Sequence, residues 1–136
     1  MTILKAHIVS RGRACGEALV TSRPISFLGS VDPKTGIVIE KGHELEGKSV
    51  KGKILVFPGG KGSTVGSYVI YQLKKNGVPP SAMINIKAEP IVAVGAIISN
   101  IPLVDMVEKD PVSIIKTGDK VLVDAIVGRV EIYDRR

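Results

Sequence analysis

The 136-residue chain reads as an α/β fold, with many short strands around a barrel-like or two-sheet core and one or two helices. Three observations predict it. Short β-branched runs bounded by glycine and proline recur along the chain, as strands do. One strand–helix–strand crossover unit, Ile54 to Lys87, sits mid-chain. The core has to be aliphatic, because aromatic residues make up 4% of the composition and there is no Trp. The length suits one domain, residues 1–136, with one core.

The elements follow in order. "TILKAHIV" (Thr2–Val9) roughly alternates and reads as one strand. "SRGRACG" reads as a turn-rich break, and "EALVTS" (Glu17–Ser22) as a second strand. Arg23–Gly36 holds two prolines and two glycines and is predicted to be mostly loop. Within it "DPKTG" is a tight turn, with Asp32 as a turn former. Ile37–Gly42 reads as a short strand, followed by the polar connector "HELEGKSVKGK".

"ILVF" (Ile54–Phe57) is continuously apolar, as a strand covered on both faces must be. From Thr64 onward Val65, Tyr68, Val69 and Leu73 fall at i, i+3, i+4 and i+8, one face of a helix. Lys74, Lys75 and Gly77 suit its end: cations face the negative dipole terminus and glycine takes the C′ position. A strand is expected over Met83–Lys87. Pro90 fits the first position of a helix, so a helix is expected over Ile91–Ser99 and a strand over Leu103–Asp105, although the β-branched content also suits strand. Lys120–Asp124 and Arg129–Tyr133 read as a hairpin.

Composition narrows the function. The formal charge is +6, but Lys and Arg are scattered, and no nucleic-acid-binding motif is recognised. The basic balance is compatible with an anionic substrate. The single cysteine, Cys15, rules out an intrachain disulfide and fits a reducing cytoplasm. It also leaves too few thiolates for an iron–sulfur cluster or a structural zinc, and is expected to be a small buried residue. His7 and His43 are too few and too far apart for a metal site, and His7 reads as structural. No signal core and no apolar stretch of transmembrane length is seen, so no membrane partner is expected.

The stretch "PGGKGSTVG" (Pro58–Gly66) carries the chemistry. As a P-loop it fails: with Gly60-Lys61 as the GK pair, the leading glycine position holds Leu55 and the Ser/Thr position holds Gly62. As a dinucleotide fingerprint it is loose, with Gly60, Gly62 and Gly66 spaced one residue too wide and Glu89 as the candidate ribose acid. A third reading uses the side chains. Ser63 is either a helix N-cap or a reacting hydroxyl whose alkoxide the loop N–H groups and the helix dipole stabilise. Lys61 then adds a cation for a carboxylate or phosphate.

Three stretches, "GRACGEALVTSRPISFLGSVDPKTGIV", "GKILVFPGGKGSTVGSYVIYQL" and "EPIVAVGAIISNIPLVD", together resemble the small, swivel-domain subunit of the aconitase X group. The resemblance runs from roughly Lys5 to Tyr133. It implies the swivelling β/β/α domain of aconitases, and a separate large subunit carrying a [4Fe-4S] cluster on three cysteines. It also implies an archaeal hydro-lyase that removes water from (R)-5-phosphomevalonate, giving trans-anhydromevalonate 5-phosphate for isoprenoid synthesis. In the family the loop serine is the proton acceptor, which maps to Ser63. Gly60, Lys61, Gly62 and Thr64 are then site neighbours by position, and Arg23 and Ser26 in "RPISF" are expected to face the same site. Gly59 and Gly66 are expected to serve turn geometry and packing; the roles of Arg11 and Arg13 stay open. Two alternatives stand: another dehydratase of the group, such as one acting on a hydroxyproline, or a non-catalytic anion-binding module.

Overall fold

The computed structural model describes residues 1–62 and 64–133. The chain forms β1 (Thr2–Lys5), β2 (His7–Ser10), β3 (Arg13–Val20), β4 (Ile54–Phe57), α1 (Val65–Lys75), β5 (Ala82–Asn85), α2 (Pro90–Ile98), β6 (Leu103–Asp105), α3 (Pro111–Ile114), β7 (Lys120–Asp124) and β8 (Arg129–Ile132). The strands pair in the order β1-β8-β7-β3-β4-β5-β6-β2. The two ends of that order, β1 and β2, are consecutive in sequence with only Ala6 between them. The ribbon therefore closes on itself through the chain, which makes the core barrel-like. Thr2–Val9 is accordingly two strands rather than one: at Ala6, whose N–H donates to Gly128 O at 2.9 Å, the chain leaves β8 and joins β6.

β3 is shared between two pairings. Residues 13–17 run antiparallel to β7, and residues 18–20 run parallel to β4. It starts earlier than expected, at Arg13, so most of the supposed break is strand. The glycines there serve close approach: a Cβ on Gly12 would lie 2.7 Å from Pro102 Cγ, and one on Gly16 2.9 Å from Gly52 O.

The parallel strands β3 (carboxyl part), β4, β5 and β6 are covered on both faces. Leu55, Phe57, Met83 and Leu103 join the core under α1 and α2, while Ile54, Val56, Ala82, Ile84 and Val104 pack against Val121, Val123 and Val130 of the antiparallel half. That double burial is why "ILVF" shows no alternation. The antiparallel half keeps an outer face, and Cys15 lies on it, exposed rather than buried as expected.

α1 buries Gly66, Val69, Ile70 and Leu73, whereas Val65 and Tyr68 are 45% and 57% exposed. The helix is rotated from the expected face because two glycines set its contacts. A Cβ on Gly66 would meet Ile91 Cγ2 at 3.1 Å, and one on Gly95 would meet Ile70 Cδ1 at 2.7 Å, so α1 and α2 touch where side chains are missing. The Ser67 hydroxyl donates to Ile91 O at 2.6 Å and closes that contact. α2 has Pro90 in its first turn and a Glu89 cap that accepts from Val92 N at 2.8 Å. The single turn α3, capped by Asp110, brings the helices to three rather than one or two.

Residues 21–53 fold over the helix side of the sheet. The strand expected over Ile37–Gly42 is reduced to isolated bridges, Val31 to Val38 and Ile37 to Ser49. Ile25, Phe27, Val31, Val38, Leu45 and Val50 anchor this segment in the helix-side core. Phe27 meets Phe57 edge to face, with ring centroids 5.9 Å apart.

Candidate active site

The carboxyl ends of parallel strands are where α/β sheets place their ligands, and the glycine loop sits there, after β4. Pro58 O accepts Ile86 N at 3.0 Å and Lys87 N at 3.2 Å, laying the loop across the end of β5. Asn85, buried at that end, donates Nδ2 to Phe57 O at 3.2 Å. A Cβ on Gly59 would stand 2.8 Å from Lys87 O, and one on Gly60 2.5 Å from Glu89 Oε1 and 2.6 Å from Val92 Cγ2. Gly62 has φ +89°, a conformation glycine adopts without strain. The glycines are there for fit, and Glu89 is used as the α2 cap beside them. That gives Glu89 a structural role as a helix cap in place of the ribose acid of the dinucleotide reading.

The segment "RPISF" is stitched to the loop by backbone. Ile25 and Gly60 form a parallel bridge, with Ile25 N donating to Gly59 O at 3.2 Å and Lys61 N to Ile25 O at 3.3 Å. This puts Ser26 against Gly62: a Cβ on Gly62 would lie 3.6 Å from Ser26 Cβ. Lys61 and Gly62 are exposed, and Lys61 has no ion pair among the described residues. Thr64 is the N-cap of α1, exposed, with no side-chain capping bond. Ser63 lies outside the described residues. The Arg23 guanidinium is turned to residues 40–43, donating Nη1 to Gly42 O at 2.5 Å. Structure thus gathers Gly60, Lys61, Gly62 and Ser26 at one edge, with Thr64 at the helix start and Arg23 on the adjoining segment.

A polar layer behind this edge escaped the sequence reading. The Ser26 hydroxyl reaches Leu28 O at 2.7 Å and Ser30 Oγ at 3.0 Å, and the Ser30 hydroxyl donates to Glu40. That bond holds the Glu40 carboxyl below its usual range; burial opposes it, and the charges of Lys61, His43 and Arg23 add to it. Glu44 accepts from Thr21 Oγ1 and, at 2.7 Å, from Ser22 N, and these bonds lower its pKa in the same order. His43 is buried, and its Nδ1 accepts from Leu45 N at 3.1 Å. These residues are scattered over the expected strand Glu17–Ser22, the loop Arg23–Gly36, the expected strand Ile37–Gly42 and the polar connector after it, so no periodicity links them. The available signal was a Ser/Thr-rich loop followed by three acids, Glu40, Glu44 and Glu46.

His7 pairs with Asp105 at the carboxyl end of β6, the same end of the parallel strands that carries the glycine loop; its Nδ1 is 2.8 Å from Asp105 Oδ1, while Asp105 Oδ2 accepts from Ala88 N at 2.9 Å. On the antiparallel half, Arg13, Ala14, Cys15, Leu122 and Tyr133 line an open groove of about 370 Å³. Among the described residues, no group of three or more His, Cys, Asp or Glu side chains is arranged to hold a metal ion. No helix among them is long and apolar enough to cross a membrane.

A family model described as the aconitase X swivel domain matches residues 3–132. The chain belongs to the aconitase X swivel-domain family. It is 68% identical over 129 residues to the phosphomevalonate dehydratase small subunit of Methanocella arvoryzae, covering 95% of this chain and 98% of that one. It is 58% identical over 131 residues to the protein of the same name from Thermococcus kodakarensis, covering 96% of each. A crystal structure of Thermococcus kodakaraensis aconitase X in its holo form superimposes with a TM-score of 0.94 at 57% identity, covering 98% of this chain and 100% of that one. The swivel fold implied by the residue resemblance is the fold observed.

Proposed function

We propose that this chain is the small subunit of a phosphomevalonate dehydratase, a hydro-lyase that works only with its large subunit. The observation that carries the reading is near-full-length identity of 68% to a chain of that name. A glycine loop at the carboxyl edge of the parallel strands, with exposed Lys61 beside it, supports it. The substrate is (R)-5-phosphomevalonate and the product trans-anhydromevalonate 5-phosphate.

Eliminating water from a 3-hydroxy acid takes a base for the C–H next to the carboxylate and an acid for the leaving hydroxyl. In this reading Ser63 is the base. The N–H groups of the glycine loop and the positive end of α1 favour negative charge on its oxygen. Lys61 meets an anionic end of the substrate, with Gly60, Gly62 and Thr64 shaping the surface and Ser26 and Arg23 flanking it. The residues of this chain do not fit a metal cluster, since its one cysteine lies on the antiparallel face. A [4Fe-4S] cluster, as the resemblance implies, belongs to the large subunit and supplies a Lewis acid when bound there. The two chains form a heterodimer in the cytoplasm.

The test is turnover of (R)-5-phosphomevalonate by each chain alone and by the pair. The expected result is activity in the pair only. Turnover by this chain alone, or a pair that dehydrates a hydroxyproline and leaves phosphomevalonate untouched, contradicts the reading.

A further inference from the structure

The carboxyl edge that carries the glycine loop carries a second polar group. His7 opens β2 and stands opposite Asp105, the last residue of β6. Along β6, Leu103 packs into the helix-side core and Val104 into the core of the antiparallel half, so alternation returns Asp105 to the helix side. On β2, Ile8 packs toward the antiparallel half, which puts His7 on the helix side as well. The glycine loop meets α2 on that same side, at Glu89 and Val92. Loop and histidine therefore share one edge and one face of the sheet.

The two partners differ in burial. The Asp105 side chain is 6% exposed and that of His7 64%. Both carboxylate oxygens are committed, Oδ1 to His7 Nδ1 at 2.8 Å and Oδ2 to Ala88 N at 2.9 Å. An ionised carboxylate only accepts, so Nδ1 carries a proton. Nε2 has no partner among the described residues and is the open nitrogen of the ring. Joining β2 to β6 does not require this pair, since the backbone ladder already joins them and a pair so exposed on one side adds little. A buried carboxylate that fixes one imidazole nitrogen leaves the other oriented for a ligand.

Resting on the dehydratase reading, we propose that His7 binds the phosphate end of (R)-5-phosphomevalonate through Nε2, with Asp105 fixing the ring. The carbon that loses its proton is next to the carboxylate, so the phosphate is the end that lies away from the glycine loop. In the extended substrate the phosphorus stands about 6 Å from that carbon, and its outer oxygens about 8 Å, at ordinary bond lengths. The loop lies across the end of β5, and β6 and β2 are the next strands in order. Those two strand spacings amount to about 10 Å, which the phosphate oxygens and a hydrogen bond of about 3 Å together span. With both ring nitrogens protonated, Nε2 donates to a phosphate oxygen as a charge-assisted bond. Lys61, at the loop, is left for the carboxylate end.

The experiment uses the assembled two-chain enzyme. His7→Asn keeps a donor where Nδ1 meets Asp105 and removes Nε2. It is expected to raise KM for (R)-5-phosphomevalonate about tenfold to a hundredfold, the scale of a lost hydrogen bond to a charged group. Its kcat should stay within about twofold, as when uniform binding is removed. Inorganic phosphate should compete with substrate in the wild-type pair, and about tenfold less well in His7→Asn. His7→Arg, whose guanidinium also takes phosphate, should hold KM within about threefold. An unchanged KM or unchanged phosphate inhibition in His7→Asn overturns the proposal, as does a fall in kcat with KM unmoved, which is what a purely structural pair would give. His7→Ala supplies the same comparison should His7→Asn fail to co-elute with the large subunit. A working wild-type pair with an unmoved His7→Asn sinks this proposal alone, whereas a wild-type pair with no turnover sinks the dehydratase reading, and this proposal with it.

Discussion

β3 passes through two environments. Along residues 13–17 it pairs with β7, and Arg13 and Cys15 face water. Along residues 18–20 it pairs with β4 beneath the helices, where Ala18 and Leu19 are 1% and 3% exposed. The first half of the molecule has a free sheet face and a groove. The second has both faces covered and only its strand ends open. Both faces of a parallel sheet are occupied by packing, so chemistry moves to the carboxyl edge. There the glycine loop, the "RPISF" segment and the Glu40 layer converge.

The largest effect should come from breaking the covered half. Phe57, 0% exposed and in edge contact with Phe27, is the keystone below the loop. Phe57→Ala should cost about 3–5 kcal/mol in urea unfolding and take turnover down with it. A loss below about 1 kcal/mol would mean the helix-side core is not packed as described.

A pair of glycine substitutions sharpens the contrast. Gly128, in the antiparallel half, has φ +85° and would bring a Cβ 2.8 Å from Ala6 O. Gly128→Ala should destabilise by about 1–3 kcal/mol while the folded enzyme keeps its kcat/KM. Gly60→Ala, which drives a methyl into the Glu89 cap and Val92, should lower kcat/KM as well as stability. Equal kinetic losses from both would erase the distinction between the halves.

Asp124 makes the antiparallel half acid-sensitive. The Ile126 N–H holds its carboxyl below the usual range; burial opposes this, and Val127 N–H, Arg13 and Arg129 add to it. A lowered folded pKa contributes stability that is present above the unfolded carboxylate pKa and lost as pH falls through the folded one. The stability gap between wild type and Asp124→Asn should therefore shrink from neutral pH to about pH 3. A constant gap across that window contradicts the assignment. The smallest effect belongs to Cys15→Ser on the open face, expected within about 0.5 kcal/mol by chemical unfolding.

Much of the fold was legible in the residues. The apolar run at β4, Pro90 at the start of α2 and Gly77 after α1 in the covered half, and the β7–β8 hairpin in the antiparallel half, are local signals, and the elements formed where those signals lie. The face of α1 was not legible, because Gly66 and Gly95 choose it by what they lack. Cys15 was misplaced because strand alternation at 13–17 was hidden by glycines that serve close approach. Of the candidate site, the glycine loop was legible as a motif between strand and helix, and Ser26 was expected beside it because loops carry function. The Ser30–Glu40 and Thr21–Glu44 contacts were not, since they join irregular segments across distances that no periodicity encodes.

The central claim is that this chain supplies the proton-accepting hydroxyl to an active site completed by another chain. The direct measurement is kcat for (R)-5-phosphomevalonate in the assembled pair carrying Ser63→Ala, alongside the fraction of the two chains that co-elute. We predict unchanged assembly with kcat reduced by at least about a thousandfold, the scale seen when a reacting group is removed. Assembly together with near-normal turnover would contradict it.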